Sequence, residues 1–211
     1  MADNIIKQGE NILPKDGEVL LFPSFFCKEE SDRLFQSLLN NIEWEQYQIQ
    51  FFGKMKDQPR LSAFYGESGM SYTYSGKKLI AKPWNPELLE IKDRIETIAG
   101  VKFSGVLLNL YRSGGDGIGW HSDAEKEHGT NHVIGSVSFG ATRTFKLRHR
   151  QDKQLLVKTN LAHGSYLLMK GETQLNWQHQ VPKTSKALAG RINLTFRELK
   201  YGNRHALNYF R

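Results

Sequence analysis

Three side chains in this sequence, His121, Asp123 and His179, are of the types that could hold one metal ion between them. His121 and Asp123 lie two residues apart, so on an extended backbone both leave the same face and can grip a single ion. His179 follows 56 residues after Asp123, in a stretch that also reads as a strand. Two imidazoles and one carboxylate form the facial set that leaves open positions on non-haem iron(II). The same donors could hold zinc and turn a bound water into a hydrolytic nucleophile. Taken alone, His121 also fits an ordinary surface histidine at a glycine-rich turn.

A second pattern lies near the end. Arg191-Ile-Asn-Leu-Thr-Phe-Arg197 alternates strictly, with Ile192, Leu194 and Phe196 on one face and Arg191, Asn193, Thr195 and Arg197 on the other. Such a strand could be half exposed with its arginines solvated. About a dozen residues after a candidate ligand, the polar face instead suggests bidentate guanidinium recognition of a small dicarboxylate.

The elements that must position these residues follow from periodicity. Lys28–Asn41 has Leu34, Leu38 and Leu39 among charged residues, and Pro86–Ala99 has Leu88, Leu89, Ile91, Ile95 and Ile98. Both read as amphipathic helices, the second opened by Pro86 and closed by Gly100. From Lys102 onward the period changes to two or to short apolar runs: 106–111, 133–139, 142–149, 154–158, 165–169, 175–179 and 191–197. The expected fold class is α+β dominated by β, a sandwich or jelly roll with the two N-terminal helices packed on one sheet.

At 211 residues the chain suits a single domain, 1–211. Its one cysteine, Cys27, excludes an intramolecular disulfide and favours a reducing compartment. Met1 to Gly9 lacks the apolar stretch of a signal peptide, and no segment approaches the roughly 20 apolar residues that span a bilayer, so no membrane is expected. A net charge of +7 is what a phosphate-backbone binder would carry.

The residues resemble AlkB-type dioxygenases, most closely the double-strand-DNA repair branch, over Gly17 to Phe196. The matching stretches are Phe52-Gly-Lys54, Pro59-Arg60, Tyr72-Thr-Tyr-Ser-Gly76, Lys82-Pro-Trp84, Asn109 with Tyr111, His121-Ser-Asp123, Ser136-Val-Ser-Phe-Gly140, Leu161-Ala-His-Gly164 and Arg191–Arg197. The resemblance implies a double-stranded β-helix at about 101–198, preceded by a nucleotide-recognition region at about 17–100. It implies iron(II) on His121, Asp123 and His179, with 2-oxoglutarate as cosubstrate and O2 as oxidant. Asn109, Tyr111 and Arg191 would hold the far carboxylate of 2-oxoglutarate, with Asn193 on the same face and Thr195 and Arg197 nearer its chelating end. Six residues of strand cover roughly 20 Å, too far for both arginines to grip one carboxylate.

The implied activity is oxidative dealkylation of N-alkylated bases in DNA, of the 1-methyladenine and 3-methylcytosine type, releasing formaldehyde, succinate and CO2. A base in a duplex must be extruded to reach such a site. By resemblance Phe52, Gly53 and Lys54 form a finger that fills the gap, Arg60 belongs to the substrate-binding set, and Tyr72, Thr73 and Tyr74 cover the flipped base. Glu125 would accept from an exocyclic amino group, and the basic run Arg143, Lys146, Arg148, His149 and Arg150 resembles a DNA-gripping hairpin. For Phe52, core packing is the bland alternative; for Tyr72 to Tyr74, an exposed edge strand; for Glu125, a solvated loop. The sequence departs from the pattern at Ala124, where an acid is expected, and at Tyr74, where another aromatic is. His128, His132, His163 and His205 read as structural or surface histidines.

Two other functions compete: the same oxygenase chemistry on RNA, protein or a small molecule, and a non-catalytic nucleic-acid-binding module. The finger argues against the first and the intact ligand set against the second. A monomer in the cytoplasm, or in the nucleus of a eukaryote, is expected.

Overall fold

The computed structural model describes residues 7–51, 54–74, 77–123 and 133–199. It opens with β1 (Glu10–Asn11), β2 (Glu18–Phe22) and α1 (Lys28–Asn41), followed by the hairpin β3 (Gln48–Phe51) and β4 (Lys54–Asp57). Next come β5 (Leu61–Gly66), the hairpin β6 (Ser71–Tyr74) and β7 (Lys77–Ile80), β8 (Lys82–Pro83) and α2 (Pro86–Ala99). The remainder is β9 (Gly105–Tyr111), β10 (Ile118–His121), β11 (Ile134–Gly140), β12 (Arg143–His149), β13 (Leu156–Leu161), β14 (Ser165–Lys170), α3 (Thr173–Asn176), β15 (Trp177–Val181) and β16 (Arg191–Arg197).

Both long helices have the expected bounds, and local chemistry explains why. The Asn85 side chain accepts from the Leu88 N–H at 2.9 Å, Pro86 stands at the first turn, and Gly100, at φ 71°, ends α2 while donating to the Glu96 carbonyl. At the start of α1 the Glu30 carboxylate accepts from the Cys27 N–H at 3.1 Å. Leu88, Ile91 and Ile95 form the buried stripe of α2, whereas Leu89 and Ile98 face solvent at 40% and 43% exposure.

Eight strands form the major sheet in the order β1-β2-β14-β11-β16-β9-β5-β8, and four form the minor sheet, β10-β15-β12-β13. This is the jelly-roll arrangement, and the major sheet takes β2 and β5 from the N-terminal half. One face of the major sheet packs Ile192, Leu194 and Phe196 of β16 with Leu34, Leu38, Ile91 and Ile95 of the two helices. Each such buried side chain stabilises the fold by about 1.5–3 kcal/mol. Between the sheets, Ile134, Leu167 and Met169 meet Phe145, Leu147, Trp177 and Val181.

The structure corrects two strand expectations. Leu175 and Asn176 belong to the α3 turn, so that strand starts at Trp177. Gln154 and Leu155 complete a turn on Asp152, which accepts from both their N–H groups, so the strand expected at 154–158 runs from Leu156 to Leu161.

Candidate active site

His121 and His179 stand opposite one another where β10 and β15 pair antiparallel. The register slips by one between Ile118 and His121, the mark of a bulge, and both of those side chains line the cavity between the sheets. The imidazole centroids are 4.2 Å apart. One ligand atom from each of His121, Asp123 and His179 lies within 4.8 Å of the others.

Neighbouring groups prepare each donor. The His121 Nδ1 lies 2.9 Å from the Gly119 carbonyl, which can only accept, so the proton sits on Nδ1. Its Nε2 lone pair then faces Asp123 Oδ1, 3.7 Å away. Asp123 Oδ2 accepts from Arg197 Nη2 at 2.7 Å, leaving Oδ1 for an ion, and the Asp123 N–H donates to Gln174 Oε1 at 2.9 Å. Burial alone would raise the Asp123 carboxyl, but Arg197, His179 and His121 together hold it well below the usual carboxylate range. Burial, reinforced by His121, pushes His179 down to about 3. An ionised carboxylate and a neutral imidazole are the states in which these groups donate to a metal.

Behind the triad, β16 lies between β11 and β9 with Arg191 opposite Tyr111, Asn193 opposite Asn109 and Thr195 opposite Leu107. Arg191 and Arg197 are 1% and 4% exposed, so the solvated-arginine alternative is excluded. Asn193 Nδ2 donates to Ser136 Oγ at 2.9 Å, and Thr195 Oγ1 donates to Asn193 Oδ1 at 3.3 Å. Asn109, Tyr111, Asn193, Thr195 and Arg197 line the cavity with the triad. The Arg191 guanidinium lies over the Tyr111 ring, 5.2 Å from its centroid, and Nη2 donates to Ser138 Oγ at 2.8 Å. Its Nε and Nη1 have no hydrogen-bond partner among the described residues. Burial lowers Arg191 to about 10, still charged at neutral pH.

Arg60 adjoins the same wall. It is 5% exposed and turned inward, donating from Nε to Asn109 Oδ1 at 3.0 Å and from Nη1 to the Gly117 carbonyl at 3.2 Å. Ser62 Oγ donates to the same Asn109 oxygen at 3.0 Å, so the Asn109 amide N–H2 is the end left for an acceptor. Arg60 therefore braces the cavity wall through Asn109 and Gly117.

The basic run on β12 is also divided. Arg143 and His149 are buried; Arg143 donates to the carbonyls of Ser113, Asp116 and Pro182, pinning the loop that precedes β10. Only Lys146, Arg148 and Arg150 reach the surface, because alternate strand residues point to opposite faces. His163 bridges the Gly140 N–H and the Asp32 carboxylate, a structural role. Phe52, Gly53, Ala124, Glu125, His128, His132 and His205 lie outside the described residues. Lys54 begins β4, and Tyr72, Thr73 and Tyr74 lie on β6, each strand half of a two-stranded hairpin.

Sequence reasoning missed Gln174, which is wholly buried and 51 residues from the Asp123 it steadies. No local signal marks it. Ser136 and Ser138 could have been found: they alternate on the β11 face that opposes Asn193 and Arg191.

The family described as the 2OG-Fe(II) oxygenase superfamily matches residues 18–197. The DNA oxidative demethylase ALKBH2 of Homo sapiens is 41% identical over 184 residues, covering 82% of this chain and 70% of that protein. ALKBH2 of Bos taurus is 41% identical over 184 residues, covering 82% and 66%. The human alpha-ketoglutarate-dependent dioxygenase alkB homolog 3 is 40% identical over 188 residues, covering 85% and 65%. The chain thus spans about two thirds of the length of these relatives. The solved structure of OsALKBH1 shares the fold, with a TM-score of 0.63, 18% identity, and coverage of 85% of this chain and 96% of that one.

Proposed function

This chain belongs to the 2OG-Fe(II) oxygenase superfamily, and on that footing we propose that it oxidatively removes alkyl groups from bases in DNA. What carries the reading is the convergence of His121, Asp123 and His179 beside an arginine-backed polar wall, in a chain 41% identical to a protein named a DNA oxidative demethylase.

The donor set fits iron(II): two imidazole nitrogens and one carboxylate oxygen on one side of the ion leave the other side open. The wall fits 2-oxoglutarate. Arg191 supplies two buried donors without a partner among the described residues, and a buried cation of that kind is stabilised by a carboxylate. Asn109 and Tyr111 complete that end, and Asn193 and Thr195 line the path toward the metal. Bound there, iron(II) with 2-oxoglutarate and O2 would supply the oxidising power, with 2-oxoglutarate converted to succinate and CO2 and an N-methyl carbon released as formaldehyde. Arg197 acts on Asp123, occupying Oδ2 and keeping the carboxylate ionised. Leu107, Ile118, Phe145, Met169 and Val181 form the apolar part of the lining and exclude water.

For the substrate, Phe52, Gly53 and Lys54, which join β3 to β4 in the sequence, would serve as the finger, Tyr72, Thr73 and Tyr74 as the lid, and Glu125 as a base contact. The ring of Phe52 offsets stacking lost on extrusion, a cost of a few kcal/mol.

The test is succinate and formaldehyde release from an oligonucleotide carrying 1-methyladenine or 3-methylcytosine, with iron(II), 2-oxoglutarate and ascorbate, for wild type and Asp123→Ala. Turnover that requires the methyl group and is lost in the variant supports the reading. Consumption of 2-oxoglutarate with the methylated base left intact would overturn the DNA assignment and keep the oxygenase.

A further inference from the structure

Asp123 stands where the sheet stops holding the chain. The last paired residue of β10 is His121, opposite His179, so β15 gives Asp123 no ladder partner. The Asp123 N–H donates instead to Oε1 of Gln174 at 2.9 Å, a side chain with no solvent exposure. The carboxylate beyond it has two duties, with Oδ2 taken by Arg197 and Oδ1 turned toward Nε2 of His121. Both hold together only from a fixed main chain, since rotation there would carry the carboxylate off one or the other.

The far end of Gln174 settles which way its amide points. Nε2 donates to the Met169 Sδ at 3.5 Å, and Met169 lines the cavity with the triad. A thioether can only accept, so the N–H2 end belongs to the sulfur and the carbonyl end to Asp123. The turn that carries Gln174 is itself tied down. Thr173 Oγ1 accepts from the Glu18 N–H at 2.9 Å and donates to the Lys170 carbonyl at 2.6 Å. The side chains of Asn176 and Trp177 donate to the carbonyls of Asp16 and Lys15, at 3.3 and 3.1 Å. Because β15 starts at Trp177 and carries His179, one short turn braces two limbs of the triad.

We propose that Gln174, locked by Met169, is the positioning residue that sets Asp123 for the metal. It acts through the peptide from which the carboxylate hangs, and supporting groups of this kind are worth about 10- to 100-fold in metal affinity. This assignment rests on the iron-site reading above and involves no step on DNA.

The experiment titrates metal-free protein with Mn(II), following the free ion by electron paramagnetic resonance, for wild type, Gln174→Leu, Met169→Leu, Asp123→Ala and Gln174→Leu/Asp123→Ala. Gln174→Leu weakens Mn(II) binding about 10- to 100-fold. Met169→Leu nearly conserves volume but frees the Gln174 amide, and weakens binding by a smaller factor. The double variant binds no worse than Asp123→Ala, because the two residues act as a unit. Wild-type affinity in Gln174→Leu would show that Arg197 alone orients Asp123, and an equal loss with and without Asp123 would make Gln174 a scaffold residue; either result overturns the assignment. If Gln174→Leu does not fold, the same cycle with Met169→Leu decides by the same two criteria. A wild type that fails to bind Mn(II) brings down the iron site and Gln174 with it, whereas failure to dealkylate DNA touches the substrate alone.

Discussion

Arg197 Nη2 donates to Asp123 Oδ2 at 2.7 Å, with the two side chains only 5% and 6% exposed. Removing one partner of a buried pair strands the other charge, at about 3–5 kcal/mol. Arg197→Met should lower metal-free stability by that order in denaturant titration and weaken iron(II) binding. Stability within 1 kcal/mol of wild type would show that the two imidazoles suffice to compensate Asp123.

Arg191 predicts the opposite sign. Its guanidinium is buried against Tyr111 with two donors unpartnered among the described residues, so Arg191→Met should leave the Tm of cosubstrate-free protein unchanged or raised. The KM for 2-oxoglutarate should rise by 100-fold or more, since a charge-assisted pair is worth about 3 kcal/mol when buried. A parallel loss of Tm would instead assign Arg191 to the scaffold.

Arg60 separates two roles. As a brace for Asn109, Arg60→Met raises the KM for 2-oxoglutarate about tenfold, the effect expected of a lost supporting contact, and leaves Kd for methylated DNA unchanged. As a base contact it would move Kd and spare the KM.

Glu96 sets an acid limit on the fold. Burial acts to raise its carboxyl, but Lys102 and Lys92 and the Phe103 N–H together hold it below the ordinary range. A depressed carboxyl contributes stability above its unfolded pKa, about 4.3, and loses it as pH falls through the folded value. Glu96→Gln should therefore melt below wild type at pH 7, with the gap closing as pH drops below about 4. A gap independent of pH would mean that the hydrogen-bond geometry, and not the charge, holds α2 to the start of β9.

What the sequence revealed, and what it hid, has a physical pattern. Helix α2 was legible because Pro86 and Gly100 each act within one turn. The alternation of Arg191–Arg197 was legible too, but not its burial, which depends on a second sheet folding over the polar face. The run from Arg143 to Arg150 looked like one patch; strand geometry turns Arg143 and His149 inward, Arg143 to backbone carbonyls. Strand β5, buried at five of six positions, has no polar alternation to betray it. Gln174 was invisible because its partner is distant in the chain.

The strand order has a consequence for how the protein is made. In the major sheet β2 pairs with β14, and β16 lies between β9 and β11, so most pairings close long loops before any contact rewards them. Such topologies fold slowly, in milliseconds to seconds. His121 and His179 come together only when β10 meets β15, a contact that spans more than a quarter of the chain. A nascent chain thus offers iron no complete set of ligands, and reactive chemistry is withheld until the apolar walls that contain it are in place.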